Sequence, residues 1–213
     1  MKNKRSLQLL VTLVFLIPLL AFAAMNWYNT KFSKLPVFGP VSKQGTIVKG
    51  HTIQDFNLIN EDGQTVSTRE WKDKIVIVDF FFSHCPSICP AMTNNLKKVA
   101  VTFKNDHDIL INSFTVDPLR DSVAQLKSFS RRMNIDGNNW HLITGDKKEI
   151  YRLARNGFFI VATDGDGGPE DFIHSEKLVL VDKQKRIRGY YDGTDEKETQ
   201  RLIHDIRKLK KGD

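Results

Sequence analysis

An almost unbroken apolar run, Lys74 to Phe82 (KIVIVDFFF), leads directly into two cysteines, Cys85 and Cys89, separated by Pro86, Ser87 and Ile88. A strand in which Ile75, Val76, Ile77, Val78, Phe80, Phe81 and Phe82 are all apolar must be covered on both faces. Such strands belong to parallel sheets, whose crossover connections lay helices over each face. The chain downstream fits that demand. Met92, Leu96, Val99 and Phe103 repeat at helical spacing, and Ile109 to Val116 is a second apolar strand. Strand, helix and strand together predict a right-handed parallel crossover.

The remaining pattern fills in a layered domain. Thr52 to Ile59 and Gln64 to Ser67 flank Asn60-Glu61-Asp62-Gly63, a hairpin with Asp-Gly turn chemistry. Asp121 or Ser122 caps a helix running to about Met133, Trp140 to Thr144 reads as a strand, and Lys147 to Asn156 as a helix. Gly157 to Thr163 is apolar and extended, and Asp164 to Asp171 (DGDGGPED) is a flexible loop by composition. Glu176 to Asp182 and Arg186 to Tyr191 form a closing hairpin. The last helix starts near Asp195, which has capping-box spacing to Glu198, and shows Leu202, Ile203, Ile206 and Leu209 on its apolar face. The expected class is α/β, with a central mixed β-sheet flanked by helices and an N-terminal hairpin. A dithiol between the first core strand and its helix is the thioredoxin-like position.

The N-terminus sets the expected compartment. Leu7 to Ala24 carries no charge and follows Lys2, Lys4 and Arg5. As a helix it is about 27 Å long, near the hydrocarbon thickness of a bilayer. The positive flank predicts a cytoplasmic N-terminus and an extracytoplasmic remainder. Ala21-Phe22-Ala23 resembles a signal-peptidase site, but the run exceeds the usual signal length, so a retained transmembrane anchor is the expectation. No cysteine follows the run closely, which argues against a lipid-modified one. The expected organisation is residues 1–25 as transmembrane anchor or signal peptide, 26–50 as linker and 51–213 as a thioredoxin-like domain. The net charge of +7 gathers partly at the two ends. No basic stripe with interleaved aromatics and no recognisable module supports nucleic-acid binding, while docking of an acidic partner protein stays open.

The cysteine count narrows the chemistry. Only two occur, and a bridge closing so short a loop removes little chain entropy. The pair therefore points to redox or metal work rather than stapling. Pro90 fits only in the first turn of the following helix, which places Cys85 in the loop or cap and Cys89 in that turn. A helix N-terminus stabilises a thiolate. Three intervening residues widen the bite beyond the redox C-x-x-C, and two thiolates suit Cu(I) while an imidazole suits Cu(II). Of the six histidines, His51, His107, His141 and His204 read as solvated or structural. His84 adjoins Cys85, although neighbouring side chains on extended backbone rarely converge on one ion. His174, between the glycine-rich loop and the next strand, is the strongest candidate third ligand.

At these positions the chain resembles the Sco/SenC family. Phe80-Phe81-Phe82-Ser83-His84-Cys85-Pro86-Ser87-Ile88-Cys89-Pro90 resembles its cysteine motif, and Thr115-Val116-Asp117-Pro118-Leu119-Arg120-Asp121-Ser122 its S-V-D-P-x-x-D-T segment. Phe172-Ile173-His174-Ser175, Leu178 to Asp182 and Arg188 to Gly193 resemble its histidine motif and closing hairpin. The resemblance implies a thioredoxin-like fold and a copper site, Cu(I) or Cu(II), formed by Cys85, Cys89 and His174. It implies a metallochaperone for the binuclear copper centre of cytochrome c oxidase subunit II, served by an upstream copper donor or thiol reductant. The alternative is a thiol-disulfide oxidoreductase in which Cys85 and Cys89 are the catalytic dithiol. Asp117 matches a family aspartate near the site and reads equally as a loop residue ending a strand. Ser83-His84-Cys85 stands where the family usually has Thr-x-Cys, which puts a titratable ring beside the first thiol. A peroxidase reading lacks a threonine placed before Cys85, and zinc ordinarily takes four protein ligands in a structural site.

Overall fold

The structure, a computed structural model, describes residues 2–32, 34–40, 50–85, 88–135, 139–160 and 175–212. The chain divides into two units, one ahead of Pro36 and one spanning Pro36–Gly212. The first is helix α1 (Lys2–Phe32), with Pro18 inside it and exposed apolar side chains such as Phe15 and Phe22. Among the described residues no helix is long and apolar enough to cross a membrane. The membrane-spanning helix expected from the sequence is thus not found among the described residues.

The second unit is built on one seven-stranded mixed sheet, ordered β2-β1-β5-β4-β3-β6-β7. Its strands are β1 (Leu58–Asn60), β2 (Thr65–Val66), β3 (Ile75–Phe81), β4 (Ile109–Thr115), β5 (Trp140–Thr144), β6 (Lys177–Val181) and β7 (Ile187–Asp192). The three central strands are parallel, with Ile75 opposite Ile109 and Ile111 opposite Trp140. The outer pairs β1–β5, β3–β6 and β6–β7 are antiparallel. Every residue of β3 and β4 is buried, as their apolar runs require.

Helices α2 (Ile88–Thr102), α3 (Val123–Arg132), α4 (Lys147–Arg152) and α5 (Glu196–Lys210) complete the domain. Helix α2 packs on α5 and buries Met92, Leu96 and Val99, as its helical spacing predicts. On one face of the sheet Phe80, Phe114 and Phe158 form an aromatic cluster with Phe56 and Trp71. Phe114 and Phe158 are wholly buried, each such side chain contributing about 1.5–3 kcal/mol by leaving water. Phe81 packs instead on Phe129 of α3.

The hairpin is shorter than the sequence predicts, because the Asn60 carboxamide accepts from the amides of Asp62 and Gln64 and so closes the turn itself. Helix α4 stops at Arg152 rather than Asn156 and widens into a π-helical turn over Leu153–Gly157. In that turn the Phe158 amide donates to the Leu153 carbonyl at 2.8 Å, which rotates Phe158 into the core. Ser122 caps α3, accepting from the Gln125 amide. Asp195 caps α5, but Glu198 pairs with Arg201 instead of returning to the cap. Within the stretch read as linker, Phe38 forms a bridge with Ile187 of β7, and the Arg188 guanidinium donates to the Pro36 carbonyl.

Candidate metal centre

The end of β3 delivers the first cysteine. The Cys85 amide donates to the Phe82 carbonyl at 3.2 Å, a tight turn that lifts the chain off the sheet. Helix α2 begins at Ile88, so Cys89 and Pro90 occupy its first turn, where the amides lack intrahelical acceptors. One of these amides is used: the Cys89 N–H donates to the Cys85 sulfur at 3.3 Å. The Thr93 hydroxyl donates to the Cys89 carbonyl at 2.7 Å and tightens the same turn.

The two sulfurs are unequal. Cys85 is half-buried, whereas Cys89 is buried. Burial pushes the Cys89 thiol up to about 12, and the hydrogen bond with Cys85 adds to the rise. Neither cysteine is in a disulfide. The pair thus presents one accessible sulfur and one buried sulfur, both at the positive end of a helix dipole.

The predicted histidines separate. His51 contacts the Gly157 carbonyl at 2.9 Å and the Phe159 ring. His141 faces the buried Glu61 at 3.8 Å, and His107 and His204 are exposed. His84 is largely exposed, its Nδ1 lying 3.0 Å from the Ser83 hydroxyl and 3.7 Å from the Asp121 carboxyl. His174 and the glycine-rich loop Asp164 to Asp171 lie outside the described residues. Topology nevertheless locates the segment that follows. Because β6 runs antiparallel to β3, its first residue, Lys177, stands at the sheet end where β3 releases Cys85. Among the described residues no three His, Cys, Asp or Glu side chains converge on one point.

Asp117 shapes its own loop: its carbonyl accepts from the amides of Arg120 and Asp121, and its carboxyl lies 3.8 Å from Arg120. The residue that sequence reasoning missed is Asp121. Since Ser122 makes the cap, the Asp121 carboxyl is left to turn inward, where it accepts from the Ser83 amide, the Ser83 hydroxyl and the Thr115 hydroxyl. Two capping residues side by side, of which a helix needs one, were the available signal.

The SCO1/SenC family model matches residues 44–211. The chain belongs to the SCO1/SenC family. A SCO1 protein homolog of Bacillus subtilis (strain 168) is 29% identical over 159 residues, covering 74% of this chain and 82% of that one. BsSco, described as a member of the Sco family of cytochrome c oxidase assembly proteins with a disulfide switch, superposes with a TM-score of 0.65 at 27% identity, covering 78% of this chain and 96% of its own. Arabidopsis thaliana ScoI with copper bound gives 0.59 at 25% identity, covering 74% and 99%. The mixed sheet flanked by helices, shared with these Sco structures, is the thioredoxin-like fold expected.

Proposed function

We propose that this SCO1/SenC protein binds copper through Cys85, Cys89 and His174 and delivers it to the binuclear copper centre of cytochrome c oxidase subunit II. The observation that carries the reading is the Cys85–Cys89 arrangement, in which the Cys89 amide of the first turn of α2 donates to the Cys85 sulfur and the two thiols are hydrogen-bond partners. Thiolates are soft donors suited to Cu(I), and copper is the cargo. The start of β6 beside the end of β3 supports a role for His174, three residues before Lys177. Copper bound to a Sco relative supports the choice of metal. Delivery proceeds by ligand exchange, in which target donors replace the accessible Cys85 sulfur before the buried Cys89. The apolar run behind Lys2, Lys4 and Arg5 supports a tethered domain on the extracytoplasmic side, supplied by an upstream copper donor or thiol reductant. The test is Cu(I) and Cu(II) competition titration of the reduced protein. One copper per chain is expected, with Cu(II) binding lost in His174→Ala; full Cu(II) affinity in that variant would sink the three-ligand site.

The inequality of the two thiols favours a second reading, reduction of a partner's disulfide. The Cys85 thiolate attacks one partner sulfur, forming a mixed disulfide and releasing the other as a thiolate. Cys89 then loses its proton and attacks the Cys85 sulfur, which releases the second partner thiol. The partner is reduced to a dithiol, the Cys85–Cys89 pair is oxidised, and an extracytoplasmic thiol reductant must restore it. This activity requires Cys85 and Cys89 but not His174. Reductase assays on Cys85→Ser and His174→Ala separate the readings, because equal loss in both excludes a purely thiol mechanism.

A further inference from the structure

Asp121 has no solvent exposure, yet no carboxyl is needed there to cap α3, since Ser122 does so. A buried carboxyl is costly unless its oxygens are hydrogen-bonded. Here three donors converge on them: the Ser83 hydroxyl at 2.5 Å on Oδ1, and the Ser83 amide at 2.9 Å and Thr115 hydroxyl at 2.5 Å on Oδ2. Two of the three come from one residue, which lies two positions before Cys85.

The rest of Ser83 is held as firmly. Its hydroxyl also accepts from the Gln125 side chain at 3.0 Å, and its carbonyl from the Arg132 guanidinium at 3.3 Å. Both of those donors belong to α3. Ser83 is therefore fixed at its amide, hydroxyl and carbonyl, with Asp121 taking the first two. The next turn, Phe82 carbonyl to Cys85 amide, starts from this fixed point.

We propose that Asp121 is the positioning residue of the dithiol: acting through Ser83, it holds the turn that presents the Cys85 sulfur to the first turn of α2. The inference rests on the reading of Cys85 and Cys89 as the working pair. A turn already fixed in the folded chain spares the ordering cost when the two sulfurs must act together. Loosening it lowers the effective concentration of one sulfur at the other without removing either.

The test needs no copper. The full-length, metal-free chain is equilibrated in glutathione buffers, and the Cys85–Cys89 disulfide fraction is read from the mass shift on alkylation. Asp121→Asn, which leaves one acceptor oxygen for three donors, and Ser83→Ala are expected to shift the equilibrium about tenfold toward the dithiol, equivalent to about 30 mV for this two-electron couple. Ser83→Thr, which keeps both donors, should stay within about twofold of the unmodified chain, rescue that a merely structural loss would not give. Tyr191→Phe removes a hydroxyl bonded to Asp205 at 2.8 Å, outside the turn; as the control for general destabilisation, it should also stay within that limit. Unshifted equilibria in Asp121→Asn and Ser83→Ala overturn the proposal, as does an equal shift in Tyr191→Phe. Should Asp121→Asn fail to fold, Ser83→Ala decides alone. Failure of the unmodified chain to form the disulfide would overturn the reading of the pair itself, and the positioning role with it.

Discussion

The Cys89 amide donates to the Cys85 sulfur at 3.3 Å, so the second cysteine of the motif supports the first through its backbone. Removing the sulfur altogether leaves that amide without its acceptor, whereas serine retains an acceptor oxygen. Cys85→Ala should therefore be less stable than Cys85→Ser by about 0.5–1.5 kcal/mol, the net worth of one hydrogen bond. Urea denaturation of the metal-free proteins measures the difference; equal midpoints would mean that the contact contributes nothing to the fold.

Copper affinity should depend on pH with a defined sign. A thiol must lose its proton to become a ligand, and the Cys89 thiol sits at about 12, far above working pH. Binding therefore expels that proton throughout the neutral range, and the apparent Cu(I) affinity should rise about tenfold per pH unit from this thiol alone. Competition against a chelator of known proton dependence, run from pH 6 to 8, gives the slope. A flat profile would exclude Cys89 thiolate as a ligand.

Asp79, in the middle of β3, should make stability depend on pH in the opposite sense to an ordinary salt-bridged carboxylate. Burial pushes its carboxyl up to about 7, against the lowering effect of its hydrogen bond with Ser113. The folded chain thus holds the proton more tightly than the unfolded chain. The associated stability is complete below about pH 4 and is lost as the pH rises through 7. The loss amounts to about 4 kcal/mol across that window. Asp79→Asn should flatten this part of the profile. Denaturation midpoints of both proteins at pH 5 and 8 test it, and parallel profiles would contradict the assignment.

Phe114 joins the two halves of the aromatic cluster, touching Phe56, Phe80 and Phe158. It is fully buried on β4. Phe114→Ala should cost about 3–5 kcal/mol through lost transfer energy and the cavity left behind. A cost under about 1 kcal/mol, read from the shift in denaturation midpoint, would mean that the cluster collapses to refill the space.

The strands were readable because their physics is local. An apolar run as dense as Ile75 to Phe81 has few alternatives to a central strand, and Trp140–Thr144 begins and ends where its composition predicts. The helix after the dithiol was legible from Met92, Leu96 and Val99, all buried in α2. What the sequence concealed depended on choices between equivalent partners. Asp121 and Ser122 both suit a helix cap, and only packing shows which side chain turns toward Ser83. The π-helical turn at Leu153–Gly157 reflects the burial of Phe158, a tertiary demand that no helical period reports. At the site, the positions of Cys85 and Cys89 followed from Pro90, while their unequal burial did not.

The bridge between Phe38 and Ile187 bears on where this domain can be cut. β7 is the last strand of the sheet, and an uncovered edge strand is a template for pairing between molecules. At the opposite edge β2 has only two residues, too short to recruit a stranger. A fragment beginning at residue 51, where the sequence pattern places the start of the domain, would leave β7 open and prone to aggregate. One beginning at Pro36 keeps its own edge guard.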